Sequence, residues 1–280
     1  MLDIKRITVI IKGGGDIGTG VAHRLFRCGF PVIVADIAEP TAVRRTVSFC
    51  EAIYLGEIKI EEVTAKRINL DKDLAVYLEE HRFLPVIVDQ DSSGKIVAEL
   101  IQQLHQQKMR VVLVDAILAK RNLGTKISDA ELVIGLGPGF EAGVDVHRVI
   151  ETNRGPRLGQ VISRGMAEPN TGIPASVEGF TESRVLRAPV DGVFKSEIEI
   201  GEKVQAGEVI GEVNNVPVPA QIDGIVRGLL KSGLAVYQGL KLGDIDPRSS
   251  RVNINLISDK SRAIAGGVLE AILSFFVAQS

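Results

Sequence analysis

Tryptophan is absent from the 280 residues, and aromatic residues make up only 4% of them. Base-stacking platforms need aromatic faces, and a net charge of −2 with a pI near 6.1 gives no general attraction to a polyanion. Nucleic acid is therefore not an expected partner. Cysteine is equally scarce: Cys28 and Cys50 stand alone, without the spacing of a metal pair. The composition predicts two buried free thiols in a reducing compartment, no disulfide framework and no metal site. Also missing is any run of about 18 apolar residues, so no membrane span is expected. Met1 to Arg6 carries early charge and lacks the apolar core of a signal peptide. A cytoplasmic location is the expectation.

What is abundant is glycine, with 29 residues, in a chain that is 45% hydrophobic. Such a chain of 30.1 kDa has enough material for one large domain or two ordinary ones. The runs at 7–11, 32–35, 86–88, 111–114 and 132–134 are almost continuously apolar and β-branched, the pattern of strands covered on both faces. Ile17, Val21 and Leu25 place one apolar stripe on a helix ending at Gly29. A second helix is predicted over Lys95 to Gln107. These alternations predict an α/β fold, a doubly wound, Rossmann-like parallel sheet.

Beyond Glu178 the texture changes. Residues 187–194 are echoed by 219–226, each copy carrying an Asp-Gly turn, Asp191-Gly192 and Asp223-Gly224. Short strands between such turns predict a smaller all-β module, similar to the barrel-sandwich hybrid of biotinyl and lipoyl carriers. Carriers present a lysine between the halves, whereas this chain has Glu212-Val213-Asn214-Asn215-Val216-Pro217, which argues against a swinging arm. The tail from Ser258 to Phe276 is predicted as a helix with Ile264, Val268, Ile272 and Phe275 inward; Gly266-Gly267 either thins it for close packing or breaks it. The expected division is therefore 1–178 for the Rossmann-like domain, 179–256 for the β module and 257–280 for a helix returning to the main body.

The strongest local signal is Gly13-Gly14-Gly15-Asp16-Ile17-Gly18, a G-x-G-x-x-G pattern between a strand and a helix. Such glycines allow the turn, the close approach of a phosphate and the packing of helix on strand, while the helix start supplies amide donors. Asp36 lies 18 residues beyond Gly18 at a strand end, where a carboxylate accepts from a ribose hydroxyl. Asp16 is the departure, since it repels phosphate unless it caps the helix or meets a cation. A purely structural turn is the alternative.

A second glycine turn, Gly135 to Phe140, offers Gly137 and Gly139 to a ligand at the same sheet edge, although Pro138 removes one amide donor. Asp115, Lys120, Arg121 and Asn122 follow another strand and supply an acid, two cations and an amide for an anionic substrate; a capped turn with solvated cations is the plain alternative. His147 is the histidine that neighbours a glycine turn. Asp89 and Asp91 read as caps of the Ser92-Ser93-Gly94 turn. Because no Ser-His-Asp order, H-E-x-x-H or Walker lysine appears, no catalytic residue is assigned.

Taken together, Ile10 to Ala22, Arg44 to Phe49, Val114 to Asn122, Gly135 to Phe140, Glu151 to Gly155, Glu168 to Gly172, Gly243 to Arg248 and Ala265 to Glu270 give the chain another identity. It resembles the selenium-dependent molybdenum hydroxylase accessory (YqeB) proteins over nearly its whole length. That resemblance implies a role in maturing, or supplying the cofactor of, hydroxylases related to xanthine dehydrogenase, with the hydroxylase or its cofactor-assembly proteins as partners. The expected ligand is NAD, another dinucleotide, or the nucleotide tail of molybdopterin cytosine dinucleotide. Two other classes compete: an NAD-dependent oxidoreductase using Lys120 or His147 for proton transfer, and a docking scaffold whose glycine turns are structural. Self-association stays open.

Overall fold

The computed structural model describes residues 2–70, 77, 78, 80–89, 94–172, 176–248 and 254–279. Asp91, Ser92 and Ser93 lie outside these. Two compact units emerge: Met1–Pro40 with Ser48–Asn170 and Ile257–Ser280, and Thr41–Val47 with Thr171–Leu256.

The first unit contains β1 (Ile7–Lys12), α1 (Asp16–Arg27), β2 (Val32–Asp36), α2 (Ala52–Leu55), β3 (Glu57–Ile60), β4 (Val63–Arg67), β5 (Leu84–Val88), α3 (Lys95–Gln106), β6 (Arg110–Asp115), β7 (Leu132–Leu136), β8 (Glu141–Ala142), β9 (Arg148–Ile150), β10 (Val161–Ile162), β11 (Gly165–Met166) and α4 (Asp259–Val277). Nine strands form one sheet in the order β10-β9-β7-β6-β1-β2-β5-β4-β3, and β8 pairs with β11 separately. β1, β2, β5, β6 and β7 run parallel, so the loops that follow β1, β2, β6 and β7 emerge at one edge. Their apolar runs are buried throughout, with Val9, Ile10, Ile11, Ile33, Val34, Val112 and Val133 all inaccessible.

The expected Rossmann-like parallel sheet is corrected here. Antiparallel pairs, β3 with β4 and β9 with β10, extend the sheet at both ends and make it mixed. Among the described residues only α1 and α3 are long helices inserted between parallel strands. β6 is joined to β7 by a loop with a single 3-10 turn, Ile127–Asp129. Instead, α4 packs against α1 from the far end of the chain: a Cβ on Gly20 would lie 2.6 Å from Ser261 Cβ. Strand periodicity reports burial on two faces but not which segment covers a face, which is why the sequence over-assigned the doubly wound plan. The α/β class stands; the combination of a Rossmann-like sheet with a barrel-sandwich module does not.

Local signals explain the helix ends. Gly29 takes φ +91° while its N–H donates to Phe26 O and that of Phe30 donates to Leu25 O, a Schellman closure. This leaves Cys28 exposed at the C-cap, contrary to its expected burial, whereas Cys50 is buried. In α4 the inward stripe is Ile264, Val268, Ile272 and Phe276 rather than Phe275. Of the glycine pair, Gly267 thins the helix: a Cβ there would stand 2.1 Å from Gly159 O.

The second unit holds two antiparallel sheets. β12 (Val185–Arg187), β13 (Gly192–Lys195), β14 (Lys203–Val204), β15 (Val209–Val213), β16 (Val216–Pro219), β17 (Gly224–Leu229), β18 (Ala235–Val236) and β19 (Lys241–Asp246) are ordered β12-β19-β17-β14 and β16-β15-β13-β18. Phe194, Val213, Val226, Leu229, Leu242 and Ile245 form their common core. The sequence echo is structural: Asp191 accepts from Gln238 N at 2.7 Å and Asp223 from Ala206 N at 2.7 Å. Asn214 and Asn215 have φ of 50° and 66° and close the β15–β16 hairpin as a two-residue turn, a conformation asparagine tolerates. No lysine occupies its tip.

Charge also organises this unit. Asp246 is buried, which raises its pKa, but the two side-chain bonds from Arg248 at 2.8 and 2.7 Å, the Arg248 amide and the nearby Arg227 outweigh burial and hold it below the usual carboxylate range. A depressed folded pKa contributes stability above the unfolded value of about 3.9, and that contribution disappears as pH falls through the folded value. The urea midpoint of the chain is therefore expected to drop on acidification below about pH 4, and Arg248→Ala should flatten that segment of the profile.

Candidate functional site

The loop after β1 is built from within. Gly14 N donates to Asp36 Oδ2 at 2.6 Å, while Gly14 O accepts from Thr19 Oγ1 at 3.0 Å and Cys50 N at 3.1 Å. Thr19 Oγ1 in turn accepts from Phe49 N at 2.8 Å. Because the carbonyl of a trans peptide and the following N–H point in opposite directions, anchoring Gly14 O inward turns Gly15 N–H outward. A Cβ on Gly15 would meet nothing within 4 Å, and no backbone acceptor is found for the Gly15 amide among the described residues, whereas Ile17 and Gly18 are buried. The start of α1 thus presents the Gly15 amide and a helix dipole to an open space.

The flanking glycines have different duties. Gly13 adopts φ +95° under Ala116 O, and a Cβ on Gly18 would lie 2.0 Å from Gly13 O. One makes the turn and the other seats α1 on β1. Asp36 faces this loop: besides Gly14 it accepts from Ile37 N at 2.8 Å, and burial raises its pKa against those two bonds.

Cations come from three separate stretches of chain. Lys260, in the first turn of α4, has a pKa lowered by burial and by the charges of Lys120 and Arg154, with Asp16 and Glu151 acting oppositely. Burial also lowers the pKa of Lys120, which sits at φ +63° in the loop after β6, two residues past Leu118 at φ +59°. Two departures of this kind in non-glycine residues within one short loop are costly and persist because the surrounding structure holds them. Lys260 was invisible to motif reading because it lies on a terminal helix far along the chain; only the Gly20–Ser261 helix crossing brings it to Asp16. Arg154 pairs with Asp259 at 2.9 Å.

The other residues singled out from the sequence shape the neighbouring loops. Asp115 is buried and accepts from Thr125 Oγ1 at 2.6 Å and Ile117 N at 3.2 Å, with Lys12 Nζ 3.8 Å away. Asn122 accepts from the Gly124 and Thr125 amides and donates to Thr125 O. In the second glycine turn the close approaches are made by the protein itself: a Cβ on Gly137 would strike Thr152 Oγ1 at 2.4 Å, and one on Gly139 would strike Arg121 Cα at 2.6 Å. This turn supports the backbone beneath Arg121. His147 precedes β9, at the end of that strand opposite Glu151; its Nδ1 accepts from Val133 N at 3.0 Å, its ring meets Phe275, and burial lowers its pKa. Asp89 accepts from Gly94 N at 3.0 Å.

No protein-family model matches the chain. Among solved structures it is similar to an aspartoacylase family protein from Mesorhizobium loti, with 11% identity, 86% of this chain and 85% of that chain covered, and a TM-score of 0.27. It is also similar to the ectoine utilization protein EutE from Ruegeria pomeroyi, at 12% identity, 85% and 84% coverage and a TM-score of 0.25. Scores this low carry neither a shared fold nor a shared chemistry. Against sequences the result is different: the Escherichia coli (strain K12) protein named "Uncharacterized protein YqeB" is 47% identical over 265 residues, which is 95% of this chain and 47% of that protein. The chain therefore spans about half the length of the curated relative it matches, and no helix among the described residues is long and apolar enough to cross a membrane. At that identity over nearly all of its residues, the chain is a homologue of YqeB, which supports the YqeB family resemblance carried by its motifs.

Proposed function

We propose that the chain is an accessory factor for selenium-dependent molybdenum hydroxylases and that its glycine loop holds the phosphate of a nucleotide-bearing ligand. The ligand class is a dinucleotide such as NAD, or a molybdenum cofactor with a nucleotide tail such as molybdopterin cytosine dinucleotide. The single observation that carries the binding half is the outward Gly15 amide at the start of α1, with open space at Gly15 and Lys260 acting on Asp16 at the same helix end. Asp36 can accept from a ribose while keeping Gly14 in place. The maturation half rests on the family resemblance.

Calorimetric titration of the whole chain with NAD, CDP and molybdopterin cytosine dinucleotide tests this. One of them is expected to bind, and Lys260→Ala to weaken it at least tenfold, about 1.4 kcal/mol. Since burial lowers both lysine pKa values, affinity should fall with rising pH before the ordinary lysine value of about 10.4 is reached. Silence from all three ligands would remove the nucleotide reading.

The oxidoreductase alternative has less support, because His147 spends Nδ1 on Val133 and packs its ring against Phe275. The scaffold alternative draws on Val193, Val209, Val216 and Tyr237, which are exposed on or beside the β16-β15-β13-β18 sheet. Tyr237→Glu in the full chain should abolish hydroxylase capture if that sheet docks the enzyme, and leave it unchanged if the glycine loop carries the association through a shared cofactor.

A further inference from the structure

A second polar cluster lies on the first unit away from the glycine loop. His23 projects from the middle of α1, and Glu61 and Glu62 form the two-residue turn between β3 and β4. The three side chains bring ligand atoms within 4.8 Å of one another. His23 is only 5% exposed, yet its Nε2 has no hydrogen-bond partner. Its nearest acceptors are Glu61 Oε2 at 3.7 Å and Glu62 Oε2 at 3.6 Å, both beyond the hydrogen-bond range.

That spacing has a chemical meaning. If Nε2 carries a proton, it is a buried donor left unsatisfied between two acceptors. If Nε2 carries its lone pair, that lone pair faces two carboxylate oxygens and repels them. A cation between the three atoms resolves both difficulties. Zinc bonds to nitrogen and carboxylate oxygen of about 2.0–2.2 Å place tetrahedral ligand atoms roughly 3.3–3.6 Å apart, close to the separations observed.

The outer carboxylate oxygens are already held. Glu61 Oε1 accepts from Arg262 Nη2 at 2.7 Å and Ile257 N at 3.0 Å, and Glu62 Oε1 lies 3.2 Å from Arg27 Nε. Those contacts orient the inner oxygens toward His23, as outer partners of metal ligands do. Glu61 also pays a conformational penalty, with φ +51° in a turn position that favours asparagine or glycine.

We propose that His23, Glu61 and Glu62 form a mononuclear site for a zinc-class divalent cation, with three protein ligands and a fourth position on the half-exposed Glu62 side. Bound there, the ion braces α1 against the β3–β4 hairpin and, through Arg262, against α4. The site does not depend on the nucleotide reading, since none of its residues belongs to the glycine loop.

Cobalt titration of the untagged full chain, followed by the visible bands of four-coordinate cobalt, tests it. One equivalent is expected to bind, zinc to displace it, and zinc to raise the thermal midpoint. Cys28→Ser, which removes the exposed thiol at the C-cap of α1, should leave binding intact. Glu62→Gln, at a half-exposed position compatible with folding, should weaken it at least tenfold, and His23→Gln should abolish it. Absence of saturable cobalt binding, binding undiminished by Glu62→Gln, or loss of binding in Cys28→Ser would each overturn the site.

Discussion

Gly18→Ala is expected to remove the native seat of α1, whereas Gly15→Ala, three residues earlier, should leave the fold intact. The added methyl at position 18 would stand 2.0 Å from Gly13 O and 3.1 Å from Gly13 C. Both are backbone atoms that cannot rotate away. Relief requires α1 to lift from β1, opening the packing of Ile17, Val21 and Leu25, all buried. Overpacking of this kind costs about 3 kcal/mol or more when backbone has to move. Urea unfolding of the two variants measures it directly. At position 15 the methyl meets nothing within 4 Å, and the backbone at φ −66° and ψ −177° suits alanine. That same methyl projects into the space where a phosphate would approach Gly15 N. Stability unchanged with nucleotide affinity reduced at least tenfold is the expected outcome for Gly15→Ala; unchanged affinity would show that the open space is not the binding site.

Glu151→Ala should destabilise the chain by a comparable amount, for a polar rather than a steric reason. Glu151 is 1% exposed, and its carboxylate accepts from Thr152 N and Asn153 N at 2.7 Å and from Glu168 N at 2.8 Å. One side chain therefore satisfies three backbone donors on two separate stretches of chain. Leaving a buried donor unpaired costs roughly 1–3 kcal/mol, and water admitted to the outer amides offsets part of the sum, so about 3 kcal/mol is expected overall. Glu151→Gln is a sharper probe. It preserves size and one acceptor, but it turns an N–H₂ group toward an amide that donates. A glutamine variant as unstable as the alanine variant would identify acceptance, not packing, as the role of this residue. Because Glu151 also acts on Lys260, the chemical shift of the Lys260 side chain should move in both variants.

The turn at Gly13 and the helix seating at Gly18 were legible because they are local. Each is decided by whether a Cβ fits at one position, and Gly13, Gly15 and Gly18 show three different surroundings for that atom. The second glycine turn has the same composition, but there a Cβ on Gly137 would meet the Thr152 side chain and one on Gly139 the Arg121 backbone. Composition alone cannot separate those cases, since glycine allows close approach by a ligand and by the chain equally. His147 shows the converse difficulty. Proximity to a glycine turn in sequence placed it near the site, yet it lies at the opposite end of β9 from Glu151, packed on Phe275.

From the amino-acid order alone came the apolar strands, the helix stop at Gly29, the Asp-Gly echo, the glycine loop with Asp36 and the family motifs, because each is written within a few neighbouring residues. Tertiary structure decided the rest. It set the mixed character of the sheet, through antiparallel pairs added at both ends. It brought Lys260 to Asp16 from the terminal helix, and it gathered His23, Glu61 and Glu62 from a helix and a hairpin that share no spacing. The physical reason is common to all three: charge and coordination act through space over a few ångströms, so groups far apart along the chain interact only after folding has placed them together.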